Sequence, residues 1–270
     1  MLGSVKSEIK SIFINKSLIF QFIRREIEGR YKGSYLGVIW SFITPIFMIF
    51  IYTFVFSVVF QAKWGTSGET NKVEFALILY TGLLIFNIFS EVVSRAPSLI
   101  ISNTNYVKKV VFPLEILSIV SLGSALFQGF ISLIVLVVSM LLLMGKIHLS
   151  LLLLPLILLP ICLFSLGLSW LLASLGVYIR DIGQVINLII SSLMFISPIF
   201  YPLSAIPKEL LFLYYINPIT YVVEDARRII IWGQLPHWDW ILYGLVIGIV
   251  AMVVGYLWFK KTRKGFADVL

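Results

Sequence analysis

A series of long apolar stretches, separated by short polar connections, constrains this chain more than any other feature. The first of them, Leu36–Phe60, runs for 25 residues without a charged side chain. A helix rises about 1.5 Å per residue, so this stretch can cross a hydrocarbon core about 30 Å thick. Because 60% of the residues are hydrophobic and only 13% are charged, we expect an all-α integral membrane protein.

The apolar stretches predict a single membrane domain over residues 1–270 with six transmembrane helices. The expected spans are residues 36–60, 75–93, 113–144, 151–178, 182–201 and 240–259. Pro45 predicts a kink in the first span.

Two further segments are expected to lie at the membrane surfaces. Residues 1–33 form a cytoplasmic interface segment, in which apolar residues recur at helical spacing among basic ones over residues 5–28. Such an amphipathic helix lies on the bilayer, packs against the rest of the protein, or does both. Residues 203–236 hold two short apolar segments separated by Asn217-Pro218, each too short or too charged to cross. We expect two short half-buried helices there, between spans five and six.

The distribution of basic residues predicts the orientation. In the six-span arrangement, 15 of the 21 Lys and Arg residues lie on the side of the two termini. The positive-inside rule therefore places both termini in the cytoplasm. The N-terminus lacks the short apolar region and small-residue cleavage site of a signal peptide, so we expect the first span to direct its own insertion. Nucleic-acid binding is not expected, because the basic residues flank apolar runs instead of forming one patch.

Several kinds of chemistry are not expected. The sequence has no GxxxxGK[ST] phosphate loop, and its two histidines and its one cysteine, Cys162, do not form a metal-ligand pattern. We therefore predict no metal site, no catalytic residues and no cofactor on this chain. No expected span has a charge near its centre, which disfavours a proton-coupled carrier. Asn87 and Gln128 are interior polar residues, for which we expect helix-to-helix hydrogen bonds.

Five segments then occur in a fixed order: RYKGSYLGVIWSFITPIF, a connection ending in KKVVFPLE, YIRDIGQVI, SPIFYP, and INP before Arg227-Arg228. Together they resemble the permease subunit of type-2 ABC exporters, in the branch that exports lipid-linked O-antigen, teichoic acid or capsular polysaccharide. The resemblance covers essentially the whole chain. It implies a homodimer in the bacterial cytoplasmic (inner) membrane with two copies of a separate ATPase, which would bind ATP and Mg. The lipid-linked glycan would leave through a channel between the two permeases.

The resemblance also implies roles for named residues. The ATPase-coupling residues would be Ser102, Asn103, Asn105, Tyr106, Lys108, Lys109, Glu115, Arg180 and Asp181. Arg180 and Asp181 could equally form an ion pair that fixes their turn. The channel and its outer gate would include Trp40, Ser197, Pro198, Tyr201, Tyr214, Tyr215, Asn217, Pro218 and Tyr221. A diphosphate headgroup could be attracted where the substrate enters, a role we give to Arg24, Arg25, Arg30, Lys32 and Tyr35.

Alternative functions remain open at this point. The architecture also suits an ABC exporter of a small molecule or drug, which needs an enclosed pocket instead of a continuous channel. A membrane-embedded polysaccharide-synthesising enzyme would need clustered acidic or basic residues, and only Glu224-Asp225 with Arg227-Arg228 offers them. A membrane scaffold explains the spans but not residues 203–236. The many interfacial aromatic residues fit an aromatic belt, or a tunnel whose ring faces stack on sugars.

Overall fold

The structure, a computed structural model, describes residues 15–59, 64, 72–108 and 112–270. The regular elements within these ranges are all helical. Five described stretches are long and apolar enough to cross a membrane: Gly37–Phe56, Val73–Ser98, Ile116–Met144, Leu149–Tyr178 and Trp238–Val269. The expected all-α membrane protein is confirmed.

The α-helices are numbered in chain order. They are α1 (Lys16–Arg30), α2 (Trp40–Tyr52), α3 (Lys72–Arg95), α4 (Thr104–Lys108), α5 (Ile116–Met144), α6 (Leu154–Tyr178), α7 (Ile182–Ile196), α8 (Leu211–Ile216), α9 (Pro218–Ile230), α10 (Trp238–Thr262) and α11 (Phe266–Val269). A 3-10 turn, Gly37–Ile39, leads into α2, and a π-helical stretch, Thr53–Val59, follows it. Residues 5–14 of the expected amphipathic helix lie outside the described residues, and α1 extends to Arg30.

Pro45 removes one backbone hydrogen bond from the first span. Proline has no backbone N–H, so the carbonyl of Ser41, one turn earlier in α2, lacks its usual donor. The Gln128 side chain on α5 approaches that carbonyl, with 3.5 Å between Nε2 and the oxygen. The Tyr31 hydroxyl donates to Gln128 Oε1 at 3.1 Å and accepts from Ser41 Oγ at 2.5 Å. The expected helix-to-helix role of Gln128 is confirmed.

Helix α3 is the central element of the fold. Its most hydrophobic window is 83% buried inside the protein, against 33% or less for the other four candidate spans. It packs against α2, α5, α6, α7 and α9. Leu77, Leu79 and Ile85 on α3 are fully buried. These five helices surround α3, and the candidate spans other than α3 leave much of their surface for lipid or for other proteins.

Helices α6 and α10 are in close contact through small residues. A Cβ atom at Gly167 would collide with the backbone of Ala251, and one at Gly255 would collide with the backbone of Gly167. Small residues let two helix backbones approach in this way. The two helices run parallel: near their starts, a Cβ atom at Gly244 on α10 would lie 3.1 Å from the side chain of Pro160 on α6. At their other ends, the Tyr178 hydroxyl donates to the Thr262 carbonyl at 2.9 Å.

The length expected for the fifth span, residues 182–201, is wrong. Helix α7 has 15 residues and ends at Ile196, which gives a length of about 22 Å. Ser197 is extended, with φ −79° and ψ 149°. It precedes Pro198, and a proline disfavours helical backbone in the residue before it. The hydrophobic run continues beyond the helix, which is why hydrophobicity alone overestimated it.

Candidate functional site

Asn217 organises the segment between α7 and α10. Its side-chain oxygen accepts a hydrogen bond from the backbone N–H of Ile219 at 3.0 Å and so caps the start of α9. Its Nδ2 donates to the Ser197 hydroxyl at 2.9 Å. Pro218 occupies the first position of α9, where its missing N–H is tolerated. The two short helices expected here are present, as α8 and α9.

Tyrosines extend this cluster. The hydroxyl oxygens of Tyr201 and Tyr214 lie 2.8 Å apart, and the Tyr221 hydroxyl donates to the Tyr215 carbonyl. Trp40, which we grouped with them, begins α2 and is 44% exposed. Phe56, beyond the other end of α2, stacks on Phe200 with 5.6 Å between ring centroids. Trp40 therefore lies a helix length away from the tyrosines, so within the expected set for the channel and its outer gate it is not part of this cluster.

A fully buried arginine, Arg227, joins this cluster to α3. Its guanidinium donates to the carbonyls of Ile78, Pro198 and Ile199 at 3.2, 2.6 and 2.8 Å. It also donates to Glu224 at 2.8 Å, and its carbon lies 4.4 Å from the centroid of the Trp64 ring. The carbonyls of residues 198 and 199 receive no helical hydrogen bond, because α7 ends at Ile196. Arg227 therefore supplies hydrogen bonds to carbonyls of the irregular backbone between α7 and α8.

Arg227 stays charged in this environment. Burial lowers the pKa of its guanidinium to about 10, and the Glu224 carboxylate opposes that shift. Burial raises the pKa of Glu224, while Arg227 acts in the opposite direction. Charge counting in the six-span arrangement places Arg227 among the six Lys and Arg residues on the side opposite the termini. Its burial was not foreseen, although the spacing of Glu224 and Arg227 places them on one helix face.

On the other side of the molecule, ion pairs connect α1 to α3. Arg30 pairs with Glu91 and donates to the Ser124 hydroxyl of α5 at 3.0 Å. Arg95 pairs with Glu26 at 2.6 Å. These contacts join the interface helix to two spans. The expectation that α1 packs against the protein is therefore confirmed for this end of the helix.

The residues expected to face the substrate headgroup differ in their surroundings. Arg25 donates to the Tyr106 hydroxyl at 2.9 Å and lies over the Phe22 ring. Arg24 pairs with Glu28 at 2.7 Å on the exposed face of α1. Lys32 and Tyr35 are exposed in the turn after α1. Arg25 and Arg30 are thus engaged within the protein, whereas Arg24, Lys32 and Tyr35 face outward.

The coupling candidates surround α4. Ser102, Asn105 and Lys108 are exposed, and Asn103 bonds the Leu99 carbonyl at 2.9 Å. Lys109 lies outside the described residues. Glu115 is engaged within the protein, since it pairs with Arg263 at 2.8 Å.

Arg180 and Asp181 are both exposed in the turn between α6 and α7. Among the described ion pairs none joins these two residues. The alternative of a turn-fixing ion pair is therefore wrong for this structure. Both side chains are available at the surface.

Helix α7 carries a polar stripe that was not predicted from the sequence. Gln184, Asn187 and Ser191 are exposed on one face of this otherwise apolar helix, together with Ser192. The two serine hydroxyls bond carbonyls one turn back at 2.9 Å. Their spacing of three and four residues is the signal that could have found the stripe.

Among the described residues, no group of three or more His, Cys, Asp or Glu side chains could hold a metal ion. Asp225 and His237 do pair, with 2.8 Å between Oδ1 and Nδ1. That contact is one carboxylate and one imidazole, beside the Trp240 ring.

Comparison with known proteins agrees with this architecture. Residues 17–231 match the family described as ABC-2 type transporter. An O-antigen export system permease protein RfbA of Myxococcus xanthus is 24% identical over 267 residues, covering 96% of this chain and 98% of that protein. One of Klebsiella pneumoniae is 27% identical over 257 residues, covering 94% and 95%. A polysialic acid transport protein KpsM of Escherichia coli is 24% identical over 258 residues, covering 93% and 95%.

The family match covers most of the chain and includes α1, five of the helices that surround α3, and the Arg227 cluster. It therefore takes in both the ion pairs at the interface helix and the irregular backbone after α7. The chain belongs to the ABC-2 type transporter family.

Proposed function

We propose that this chain is the transmembrane subunit of an ATP-driven exporter, which moves a lipid-linked polysaccharide across the bacterial cytoplasmic membrane. The relatives with the matching length are named for O-antigen export and for polysialic acid transport. A separate ATPase subunit would bind and hydrolyse ATP. The chain would act as a homodimer with two such subunits.

The observation that carries the proposal is the polar stripe on α7. Its amides and hydroxyls are exposed on a helix that is otherwise apolar. Polar side chains in a membrane face water, a partner protein or a cavity, because hydrocarbon leaves them without hydrogen bonds. A second copy of the chain facing this stripe would enclose a hydrated path. Hydroxyls and amides without charge suit a neutral or weakly charged sugar chain.

The course of the chain supports six crossings and cytoplasmic termini. Helices α6 and α10 run parallel, so the chain must return from the end of α6 to the start of α10. Helix α7 makes that return, since the residues after it meet α9, whose end lies beside the start of α6. With α7 added to the five longer spans, both termini lie on one side. The excess of basic residues there favours the cytoplasm.

The exposed residues on the cytoplasmic side suit docking of the ATPase. Ser102, Asn105 and Lys108 surround α4, and Arg180 and Asp181 project from the next cytoplasmic turn. We assign these five residues to the ATPase contact. Tyr106 and Glu115 support them from within, through Arg25 and Arg263.

For the substrate headgroup, the contacts of α1 favour Arg24 and Lys32 over Arg25 and Arg30, although all four residues are exposed. The latter two are held by Tyr106 and Glu91 and would attach α1 to the spans. A diphosphate would meet the outward-facing cations near Tyr35. At the opposite end, the tyrosines with Ser197 and Asn217 would form an outer gate, fixed in place by Arg227.

An export assay tests the function. A strain lacking the chain is complemented with the wild type, and polysaccharide is measured on the cell surface and inside the cell. We expect surface polymer to require both this chain and its ATPase, and to accumulate inside the cell when either is missing. Surface polymer that persists without the chain would refute the proposal. Efflux of a small molecule with unchanged polymer would favour a drug exporter instead.

The headgroup assignment has its own test in the same assay. Arg24→Ala combined with Lys32→Ala should reduce export at normal protein level. Lys16→Ala, which removes another exposed cation of α1, is the matched control. Equal export by all variants would leave these residues with an orienting role only.

A further inference from the structure

Asn87 is placed unusually on the most buried helix of the protein. Between residues 73 and 95, all of them described, Asn87 is the one exposed residue. Within the described part of the chain, no hydrogen bond engages its side-chain amide, although its backbone carbonyl accepts one from Ser90. The hydrogen bond to a neighbouring helix that was expected for this amide is not present, so that prediction is wrong. An amide exposed to hydrocarbon would be unfavourable, so its surroundings must supply polar partners.

Asn87 lines a groove between α2, α3 and α5. The groove has a volume of about 360 Å³, which falls in the range of about 300–1,000 Å³ that is common for ligand sites. Its polar lining residues lie on all three helices: Thr44 and Tyr52, Tyr80 and Asn87, and Gln128 and Ser132. Tyr80 on α3 and Ser132 on α5 both line the groove. The groove therefore combines apolar walls with polar side chains from all three helices, inside a region that the membrane surrounds.

The charge of the groove narrows the choice of ligand. Glu91 is its one charged lining residue, and that carboxylate is already paired with Arg30 at the cytoplasmic end. An anionic ligand would meet no free cation among the lining residues. An acyl chain would leave the Asn87 amide without partners. A neutral ligand rich in hydroxyl groups can both donate to and accept from amides and hydroxyls, and its sugar rings can pack on tyrosine faces.

We propose that the groove bordered by Asn87, Gln128 and Ser132 is a saccharide-binding site, which holds neutral sugar units of the transported polymer inside the membrane region. The proposal rests on the proposed function for its biological role, but the binding itself does not. The Gln128 amide is engaged by Ser41 and Tyr31, so Asn87 is the residue whose amide is left for the ligand. Asn87 thus becomes a specificity-determining contact, separate from the outer tyrosines and from the α7 stripe.

Thiol labelling of the full-length chain, co-purified with its ATPase in lipid nanodiscs, tests the site. Cys162→Ser removes the one natural cysteine, and Asn87→Cys then places a thiol in the groove. We expect this thiol to react with a small water-soluble methanethiosulfonate reagent, and maltoheptaose to slow the reaction. Ser132→Cys gives a second groove position in case the first variant fails to assemble. Val250→Cys, at a 56% exposed apolar position in the middle of α10, is the control that should stay unreactive.

A second measurement uses the natural side chains. In the Ser132→Cys background, Asn87→Leu keeps the number and branching of the side-chain heavy atoms and removes the hydrogen-bonding groups. Half-protection should then need about fivefold more maltoheptaose, the loss expected for one neutral hydrogen bond. Surface polymer should fall in the same variant while the protein level stays constant.

The outcomes separate the two proposals. Groove thiols as unreactive as Val250→Cys would show a dry groove and overturn the site. Reactive thiols that maltoheptaose does not protect would overturn the saccharide assignment. Either result, together with normal export by the wild type, leaves the transport function standing. Protection by maltoheptaose in a chain that exports no polymer would instead refute the proposed function and keep the site.

Discussion

Replacing the buried Arg227 by methionine tests whether its guanidinium holds the irregular segment after α7 in place. Methionine keeps the length and much of the volume of the side chain but removes the donors to Ile78, Pro198 and Ile199. It also leaves Glu224, whose side chain is only 14% exposed, without its partner. Hydrogen bonds from a charged group contribute about 1.5–3 kcal/mol each, and breaking a buried ion pair costs about 3–5 kcal/mol. Both figures describe the same guanidinium and are not additive, so we expect the free energy of unfolding to fall by about 3–5 kcal/mol.

Two further variants separate the carbonyl contacts from the ion pair. Arg227→Lys keeps the charge, but an ammonium group cannot reproduce the planar set of donors that reaches several carbonyls. Adding Glu224→Gln to Arg227→Met removes the unpaired carboxylate. The double variant should therefore lose less stability than the sum of the losses of the two single variants. Arg228→Met is the matched control, because Arg228 makes an exposed hydrogen bond to the Leu235 carbonyl.

The single cysteine provides the assay. Cys162 is partly buried on α6, so a thiol-reactive fluorescent dye reports unfolding of the purified protein during heating or denaturant titration. The order of stability should be wild type and Arg228→Met, then Arg227→Lys, then Arg227→Met. An Arg227→Met variant within about 0.5 kcal/mol of the wild type, the usual range of surface substitutions, would refute the reasoning.

Three shorter predictions use the same assay. Gly167→Ala should destabilise the protein by about 1–3 kcal/mol, because its Cβ would collide with the α10 backbone. Gly183→Ala is the control, because a Cβ atom has room there and should not destabilise the protein. Equal effects of the two substitutions would contradict the close contact of α6 and α10. Asn217→Ala should lower the free energy of unfolding by about 1 kcal/mol, because it removes the α9 cap. Asn217→Asp should retain most of that stability, because its carboxylate can still cap the helix. Glu115→Gln should lower the free energy of unfolding by less than about 1 kcal/mol, because its partner Arg263 is 39% exposed. The variant should still co-purify with the ATPase. Loss of the ATPase would instead assign Glu115 to the docking surface.

The spans could be predicted from the sequence because a bilayer requires long uninterrupted apolar runs. Their ends depend on local backbone chemistry, which hydrophobicity does not report. The run around α7 continues past Ile196, but the backbone stops being helical before Pro198. The residue pair Asn217-Pro218 was a reliable signal for the start of α9, because an N-cap followed by proline acts within one turn.

The candidate site was harder to predict because its contacts join distant parts of the chain. Arg227 bonds a carbonyl 149 residues earlier, and charge counting assigned the residue to the side opposite the termini. Asn87 and Gln128 have the same chemistry and similar apolar surroundings in the sequence. The structure separates them, since Gln128 faces a carbonyl that a proline has left without a donor and Asn87 faces a groove. That difference depends on which helices become neighbours.

The contact between Gln128 and the Ser41 carbonyl has a consequence for how the protein is made. The two residues are 87 positions apart, so the ribosome completes α2 long before it reaches α5. During that interval the carbonyl opposite Pro45 has neither an intrahelical donor nor the Gln128 amide. Newly made α2 therefore enters the bilayer with one backbone group unsatisfied, and its final packing waits for the arrival of α5. Biogenesis of this permease has a built-in order, in which the first span to be translated is not the first to finish folding.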